Sequence, residues 1–273
     1  MKIALIQMPV SACKKTNIET ARSYLRQAAE AGVQMAVLPE MFCCSYTNSA
    51  FVENAEPVGG MVWTAMSEAA KEFGLWLVAG SMPEQDGEKI CNTSFVFDSE
   101  GNQVARHRKM HLFDIDVKGG QRFKESDTFT AGNDVTVFDT PWGRLGLCIC
   151  FDMRFPELSR AMTLQGAQAI LAPAAFNMTT GPMHWELMFR QRAVDNQLYA
   201  IGIAPARDES APYVSYGNTI VCSPWGKVLC RADAAPEMLI AELDFAENES
   251  VRAQLPLLSA RRNDVYGDRK SVV

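Results

Sequence analysis

The sequence is poor in histidine. Only three occur, His107, His111 and His184, which leaves little material for the imidazole-rich sites that hold catalytic zinc or non-haem iron. The pair in "HRKMH" has ligand-like spacing, but its neighbours Arg108 and Lys109 are basic and repel a cation. No metal is expected. Long apolar runs are missing as well: none approaches the roughly 20 residues a helix needs to span a bilayer, so no membrane partner is expected. Nor is there an excess of one charge. The 26 Lys and Arg are interspersed with 32 Asp and Glu for a net charge of −6, and without a basic patch a nucleic acid finds no electrostatic footprint. No linker or composition shift divides the 273 residues. One domain is therefore expected over residues 1–273, with a C-terminal arm from about 247. A chain of this length buries enough surface to need no disulfides. The opening "MKIALIQMPV" is too short an apolar stretch for a secretory signal and has no cleavage pattern. The expected compartment is the cytoplasm, where cysteines stay thiols.

What is present is an alternation of strand-like and helix-like runs. "KIALIQM" reads as a buried strand, and Asn17 is placed to cap a helix through "IETARSYLRQAAEA" that Gly32 ends. "MAVLPE", "LWLVAGSM", "NTSFVFD" and "NQVARHR" read as strands, with a helix "VWTAMSEAAKEF" stopped by Gly74 among them. Residues 110 to 134 read as a polar loop. Beyond it come the strands "VTVFD", "RLGLCIC", "AQAILAPAAF", "LYAIGIAP", "NTIVCSP", "KVLCRAD" and "EMLIAELDF". Helices start at Pro156 and at Pro182. Near-continuous apolar strands are those of sheets covered on both faces, and strands separated by helices give an α/β layered fold. Two "PWG" turns, at residues 141–143 and 224–226, hint at an internal duplication. The charged tail with "LPLL" inside it reads as an extended arm.

In layered α/β folds, sites form beyond the carboxyl ends of strands. Glu40, Lys109 and Cys150 all fall at such ends. A carboxylate directly after an apolar strand is partly desolvated, which raises its pKa and suits proton transfer; the competing reading is a solvated strand-end charge. Lys109 follows Arg106 and Arg108 and reads equally as part of a wet basic edge. The chain has eight cysteines, and a buried free cysteine is usually a small hydrophobe. Cys150 differs by its position at a strand-to-helix turn, where a helix N-terminus and a nearby cation lower a thiol pKa. Cys148, two residues earlier, lies inside the strand and is expected to be inert. With so few histidines, a Cys–His nucleophile has little support, and a cysteine with a Glu base and a Lys fits better.

The three segments "LPEMF", "RKMHLFD" and "CICFDMRFPE", in this order, resemble the signatures of the nitrilase superfamily of carbon–nitrogen hydrolases. The resemblance runs along essentially the whole chain. "HLFDIDV", "FKES", "AFNMTTGPMHWEL", "RAVDNQ" and "PARD" are most similar to its ω-amidase branch. It implies a four-layer αββα sandwich, pairing of sandwiches into homodimers with the C-terminal arm reaching across, and no cofactor. It implies Glu40 as general base, Lys109 as oxyanion stabiliser, Cys150 as nucleophile, and Glu125 of "FKES" as a further polar residue orienting Lys109 or the substrate. The residue after the nucleophile, usually Tyr in this branch, is Phe151 here; its backbone N–H keeps the oxyanion role. The implied substrates are small-molecule dicarboxylate monoamides such as 2-oxoglutaramate and 2-oxosuccinamate. Their far carboxylate calls for a cation, and an Arg fork offers two hydrogen bonds. Arg154 is the candidate, with a structural pair to Asp152 or Glu157 as the alternative, and Arg192 and Arg207 next in line. Phe176, Asn177, Met178 and Thr179 follow another strand end and are candidates to line the pocket. A nitrilase proper, a deaminated-glutathione amidase and an inactive binding scaffold are the competing functions.

Overall fold

Ile3 and Leu5 point to one side of the first strand and Ala4 and Ile6 to the other, and all four are fully buried. A strand apolar on both faces belongs between two packed layers. The computed structural model, which describes residues 1–266, is built on this pattern. Its first half runs β1 (Lys2–Gln7), α1 (Lys14–Glu30), β2 (Met35–Val37), α2 (Asn48–Asn54), α3 (Met61–Phe73), β3 (Trp76–Val78), β4 (Met82–Asp86), β5 (Lys89–Phe97) and β6 (Gln103–Arg108). A hairpin, β7 (Asp114–Asp116) and β8 (Arg122–Lys124), leads into a 3-10 turn, Glu125–Asp127. The second half runs β9 (Thr136–Thr140), β10 (Gly143–Leu147), a 3-10 turn Cys150–Arg154, α4 (Pro156–Leu164), β11 (Ala169–Pro173), α5 (Gly181–Asn196), β12 (Tyr199–Ile203), β13 (Ile220–Cys222), β14 (Val228–Arg231), β15 (Glu237–Glu242) and α6 (Ala246–Gln254).

One sheet has the order β15-β1-β2-β3-β5-β4 with β6 also on β5; the other has the order β14-β13-β12-β11-β10-β9. Between them lies a core of Ile3, Leu5, Met35, Val37 and Val78 against Leu145, Leu147, Leu171, Ile201 and Val221. The opposite face of the first sheet carries Ala4, Ile6, Ala36 and Leu77 against Ala21, Leu25, Met66 and Ala69 of α1 and α3. That of the second carries Ile170, Ala172 and Ala200 against Leu158, Met162, Trp185 and Phe189 of α4 and α5. The chain is thus a four-layer αββα sandwich, as its resemblance implies. Each fully buried Leu or Ile contributes about 1.5–3 kcal/mol to holding the layers together. No helix among the described residues is long and apolar enough to cross a membrane.

The duplication is visible in topology. β1, β2 and β3 run parallel with helices between them, then meet the antiparallel β5; β10, β11 and β12 run parallel with α4 and α5 between them, then meet the antiparallel β13. The "PWG" turns are no part of the repeat: one precedes β10 and the other follows β13.

Four local expectations need correction. Asn17 is not the cap of α1, which begins at Lys14; Asn17 is buried in the helix, accepting from Ser11 N and donating to Ser11 O, each at 2.8 Å, and so pins the preceding loop. Residues 110–134 contain the β7–β8 hairpin and the Glu125 turn rather than loop alone. "RLGLCIC" is a strand only to Leu147. The C-terminal segment does not start as an extended arm: α6 folds back on the second sheet, with buried Asn248 donating to Gln168 O at 2.7 Å. Residues 267–273 of the expected arm lie outside the described residues.

Candidate active site

Glu40 lies three residues past β2, and Lys109 directly follows β6. Two antiparallel steps, β3 to β5 and β5 to β6, make β6 run the same way as β2, so both residues emerge at the same end of the sheet. Glu125 arrives from the 3-10 turn after β8. All three are buried, and Lys109 and Glu125 are 0% exposed. Lys109 Nζ sits 3.0 Å from Glu40 Oε1 and 2.9 Å from Glu125. Tyr46 Oη donates toward Glu40 Oε1 and Glu125 Oε1 at 3.2 and 3.0 Å, and Asn92 Nδ2 reaches the same two atoms at 2.9 and 3.3 Å. Phe113 N–H donates to Glu125 Oε2 at 2.6 Å. Burial pushes Glu40 above the usual carboxylate range; Lys109 opposes this and Glu125 adds to it. Burial would depress the Lys109 ammonium, but Glu125 and Glu40 outweigh it and keep the lysine charged.

Cys150 is buried and begins the 3-10 turn at the carboxyl end of β10, with φ of 48°. A non-glycine residue in the left-handed region stores about 1–3 kcal/mol of strain, and here it sets the thiol facing Glu40 and the Ala175 N–H. The expected lowering of this thiol pKa is not found. Burial raises it well above the ordinary value, and Glu40 adds to this, while Lys109 and the Ala175 N–H pull it back only in part. The turn behind it spans just Cys150–Arg154, too short to carry a helix-sized dipole. Cys148 is 0% exposed in the core under α4 and α5, also raised by burial. Phe151 N–H is among the first donors of the 3-10 turn, which such turns leave without an internal partner; its ring packs on Phe113 and Phe155.

Asp152 ties the two halves of the site together. Its carboxylate accepts from Ile149 N at 3.0 Å, His111 N at 2.9 Å and Met110 N at 3.2 Å, and meets His107 Nε2 at 2.9 Å and His111 Nδ1 at 2.8 Å. The segment that carries Lys109 is thereby fastened to the turn that carries Cys150. These bonds overcome burial and hold the Asp152 carboxyl well below its usual range. The two histidines of "HRKMH" are therefore spent on a carboxylate.

Arg154 pairs with neither Asp152 nor Glu157, and no ion pair involves it among the described residues. Its guanidinium lies 4.6 Å over the Phe176 ring and 5.6 Å over Phe151, and Nη1 donates to His184 Nδ1 at 3.1 Å. Its Nε is buried without a partner. Arg192 is committed elsewhere, donating to Met153 O and Arg154 O at 3.0 Å each, and so holds that loop. Arg207 donates to Tyr216 O and stands 3.6 Å from Glu209. Phe176 is buried beneath Arg154, and Met178 and Thr179 line a surface groove with Tyr46 and Tyr213. Asn177 does not offer its side chain to a pocket: Oδ1 accepts from Thr179 N and Thr180 N at 3.1 and 3.0 Å, and Nδ2 donates to Gln121.

Sequence reasoning missed Tyr46, Asn92, Asp152 and Tyr213. Tyr213 stacks on Tyr46 at 4.4 Å and donates to Ala175 O. Asn92 had a signal, as a polar residue opening the apolar "NTSFVFD". Asp152 had one as well, as a carboxylate two residues past the thiol. Tyr46 and Tyr213 arrive from loops whose closure no local pattern records.

The four-layer sandwich is the fold of the carbon–nitrogen hydrolases, and the chain belongs to that family, whose sequence pattern matches residues 2–253. It is thus an enzyme that hydrolyses carbon–nitrogen bonds. It is 44% identical over 265 residues to omega-amidase NIT2 of Danio rerio, covering 97% of this chain and 96% of that one. Omega-amidase NIT2 of Homo sapiens is 43% identical over the same shares. The crystal structure of Saccharomyces cerevisiae Nit3, a member of branch 10 of the nitrilase superfamily, matches at a TM-score of 0.88 with 38% identity over 96% of each chain.

Proposed function

We propose that the chain is an ω-amidase that releases ammonia from short dicarboxylate monoamides such as 2-oxoglutaramate and 2-oxosuccinamate through a Cys150 thioester, without a cofactor. Glu40 takes the thiol proton as sulfur attacks the amide carbonyl. Lys109 and the Phe151 N–H receive the oxyanion, at a contribution of several kcal/mol. Glu40 returns the proton to the leaving nitrogen and then activates water to hydrolyse the thioester. Glu125 keeps Lys109 charged and aimed.

One observation carries the substrate class. Arg154 is a half-buried cation without a carboxylate partner among the described residues, stacked on Phe176, four residues past Cys150. A far carboxylate on the substrate completes it. The deciding experiment measures ammonia release over a panel of dicarboxylate monoamides, neutral amides and matched nitriles. Preference for the charged amides supports the proposal; preference for nitriles overturns it in favour of a nitrilase, and no turnover with any in favour of a scaffold.

We read the functional unit as a homodimer. Met183, Leu187 and Val194 leave an exposed apolar side on α5, beside exposed Trp225, and such patches mark contact sites. A second copy is the occupant, tested by sedimentation of the chain and of Leu187→Arg. The cysteines are free thiols, as suits the cytoplasm.

A further inference from the structure

The two oxygens of Glu40 are not alike. Oε1 receives Lys109 Nζ at 3.0 Å, Asn92 Nδ2 at 2.9 Å and Tyr46 Oη at 3.2 Å. Oε2 is equally buried and receives no hydrogen bond, and the Cys150 thiol is a neighbour of this carboxylate. Oε1 thus accepts from Lys109 and Asn92 and shares the single Tyr46 proton with Glu125 Oε1, which lies 3.0 Å from the same hydroxyl; an oxygen so engaged has committed its electron density and is the poorer base, while a bare one in a dry site keeps its lone pairs. We propose that Oε2 alone carries the proton in each catalytic cycle, and that Tyr46 and Asn92 are positioning residues that assign it this role. This rests on Glu40 being the general base. In the first step the S–H bond of Cys150 breaks, a bond to hydrogen forms on Oε2, and the electron pair stays on sulfur for attack. In the return step the proton leaves Oε2 for the departing nitrogen.

Lys109 cannot hold the carboxylate in this orientation alone, because an ammonium on a flexible stem follows whichever oxygen turns toward it. Asn92 and Tyr46 are rigid. Asn92 lies on β5 and its backbone carbonyl accepts from Lys109 N at 2.9 Å. The Tyr46 ring is clamped by Phe51 at 5.1 Å, Phe123 at 5.6 Å and Tyr213 at 4.4 Å. The charged and titratable groups around Glu40 are Lys109 after β6, Glu125 of the 3-10 turn, Cys150, Tyr46 itself and Tyr213 from the loop after β12. Each hydrogen bond to Oε1 favours the ionised carboxylate. Removing one raises the pH at which Glu40 becomes a competent base.

The test uses full-length Tyr46→Phe, which keeps the ring and its packing, and Asn92→Ala. Two profiles are recorded from pH 5 to 9: amide hydrolysis, and alkylation of Cys150 by iodoacetamide without substrate, read on the peptide that contains it. The expected result is a loss of about ten- to a hundredfold in kcat with little change in KM. The acid limb of both profiles moves up by about one pH unit, the equivalent of one charge-assisted hydrogen bond. An even fall in kcat with an unmoved limb in both variants assigns Tyr46 and Asn92 to packing and overturns the proposal, as does a rise in KM with kcat retained. Glu40→Gln separates the two levels. If it alkylates at the wild-type rate, the general-base reading falls and takes the proposal with it. If it is slow while the two variants keep the wild-type limb, only the assignment of Oε2 falls.

Discussion

Replacing Lys109 with Met removes the one ammonium shared by two buried carboxylates and leaves an apolar chain of similar reach. At an effective dielectric of about 20, contacts of 3.0 and 2.9 Å are each worth about 5.5 kcal/mol. The cost of burying the lysine offsets much of this, and breaking such a pair typically destabilises by about 3–5 kcal/mol. For a chain of this size that is a fall of about 10 °C in Tm at pH 8. The loss is not uniform in pH. With Lys109 gone, the main opposition to the burial and the Glu125 charge that already raise the Glu40 pKa is lost, and only the neutral Asn92 and Tyr46 donors remain against them. A carboxyl whose folded pKa lies above its unfolded value, about 4.3, contributes stability that is full below that value and is lost as pH rises through the folded pKa. The Tm deficit of Lys109→Met is therefore small near pH 5 and large near pH 8. Turnover falls by at least about 10²–10³ with loss of an oxyanion donor. Differential scanning calorimetry at the two pH values and ammonia release at saturating amide check both halves. An equal Tm deficit at pH 5 and pH 8 refutes the charge reasoning, and turnover within about tenfold of wild type refutes the oxyanion role.

Three further outcomes are expected. Cys150→Ala abolishes turnover while Cys148→Ala, Cys43→Ala and Cys44→Ala keep much of it; a dead but folded Cys148 variant beside an active Cys150 variant reverses the assignment. Arg154→Met lowers kcat/KM for 2-oxoglutaramate far more than for a neutral amide of similar size, since only the former loses a desolvated charge pair worth about 2–5 kcal/mol, and Lys restores only part of the two-pronged contact; an unchanged ratio of the two substrates makes Arg154 structural. Asp152→Asn destabilises by about 3–5 kcal/mol at pH 7. Because the wild-type carboxyl is held far down, its contribution is present above the unfolded pKa of about 3.9 and lost as pH falls toward the folded value. The variant's deficit in urea melts should shrink toward pH 2, and a deficit constant from pH 7 to pH 2 argues against this.

The layers were legible because their signal is local. "KIALIQM", "MAVLPE" and "AQAILAPAAF" are apolar on both faces, and only a strand between two packed layers buries both. The misplaced elements were those whose pattern is short or set by distant partners. Asn17 has the chemistry of a cap, yet the Ser11 backbone claims its side chain. The β7–β8 pairing joins three-residue strands with exposed ends, too short for alternation to stand out. At the site, Glu40 and Lys109 were legible as strand-end charges but not as members of one cluster. Their meeting depends on β5 and β6 reversing direction twice, which no window of sequence contains. Arg154 was legible as a cation near the thiol, and its freedom from Asp152 and Glu157 followed only once both histidines were seen to converge on Asp152.

The state of the Cys150 thiol links this geometry to the order of events. The sequence places a cation and a turn beside it, which argues for a thiolate at rest. Burial and the Glu40 charge win instead, and the proton stays on sulfur. Glu40 is also raised, so the gap between the two groups is not closed by its environment alone. In the mechanism proposed above, a substrate carbonyl arriving between Lys109 and the Phe151 N–H changes this balance: negative charge that would sit on sulfur moves to an oxygen facing an ammonium. Proton transfer to Glu40 and attack on carbon then favour each other, and neither is favourable alone. The strained backbone at Cys150, with φ of 48°, fixes the sulfur for that moment.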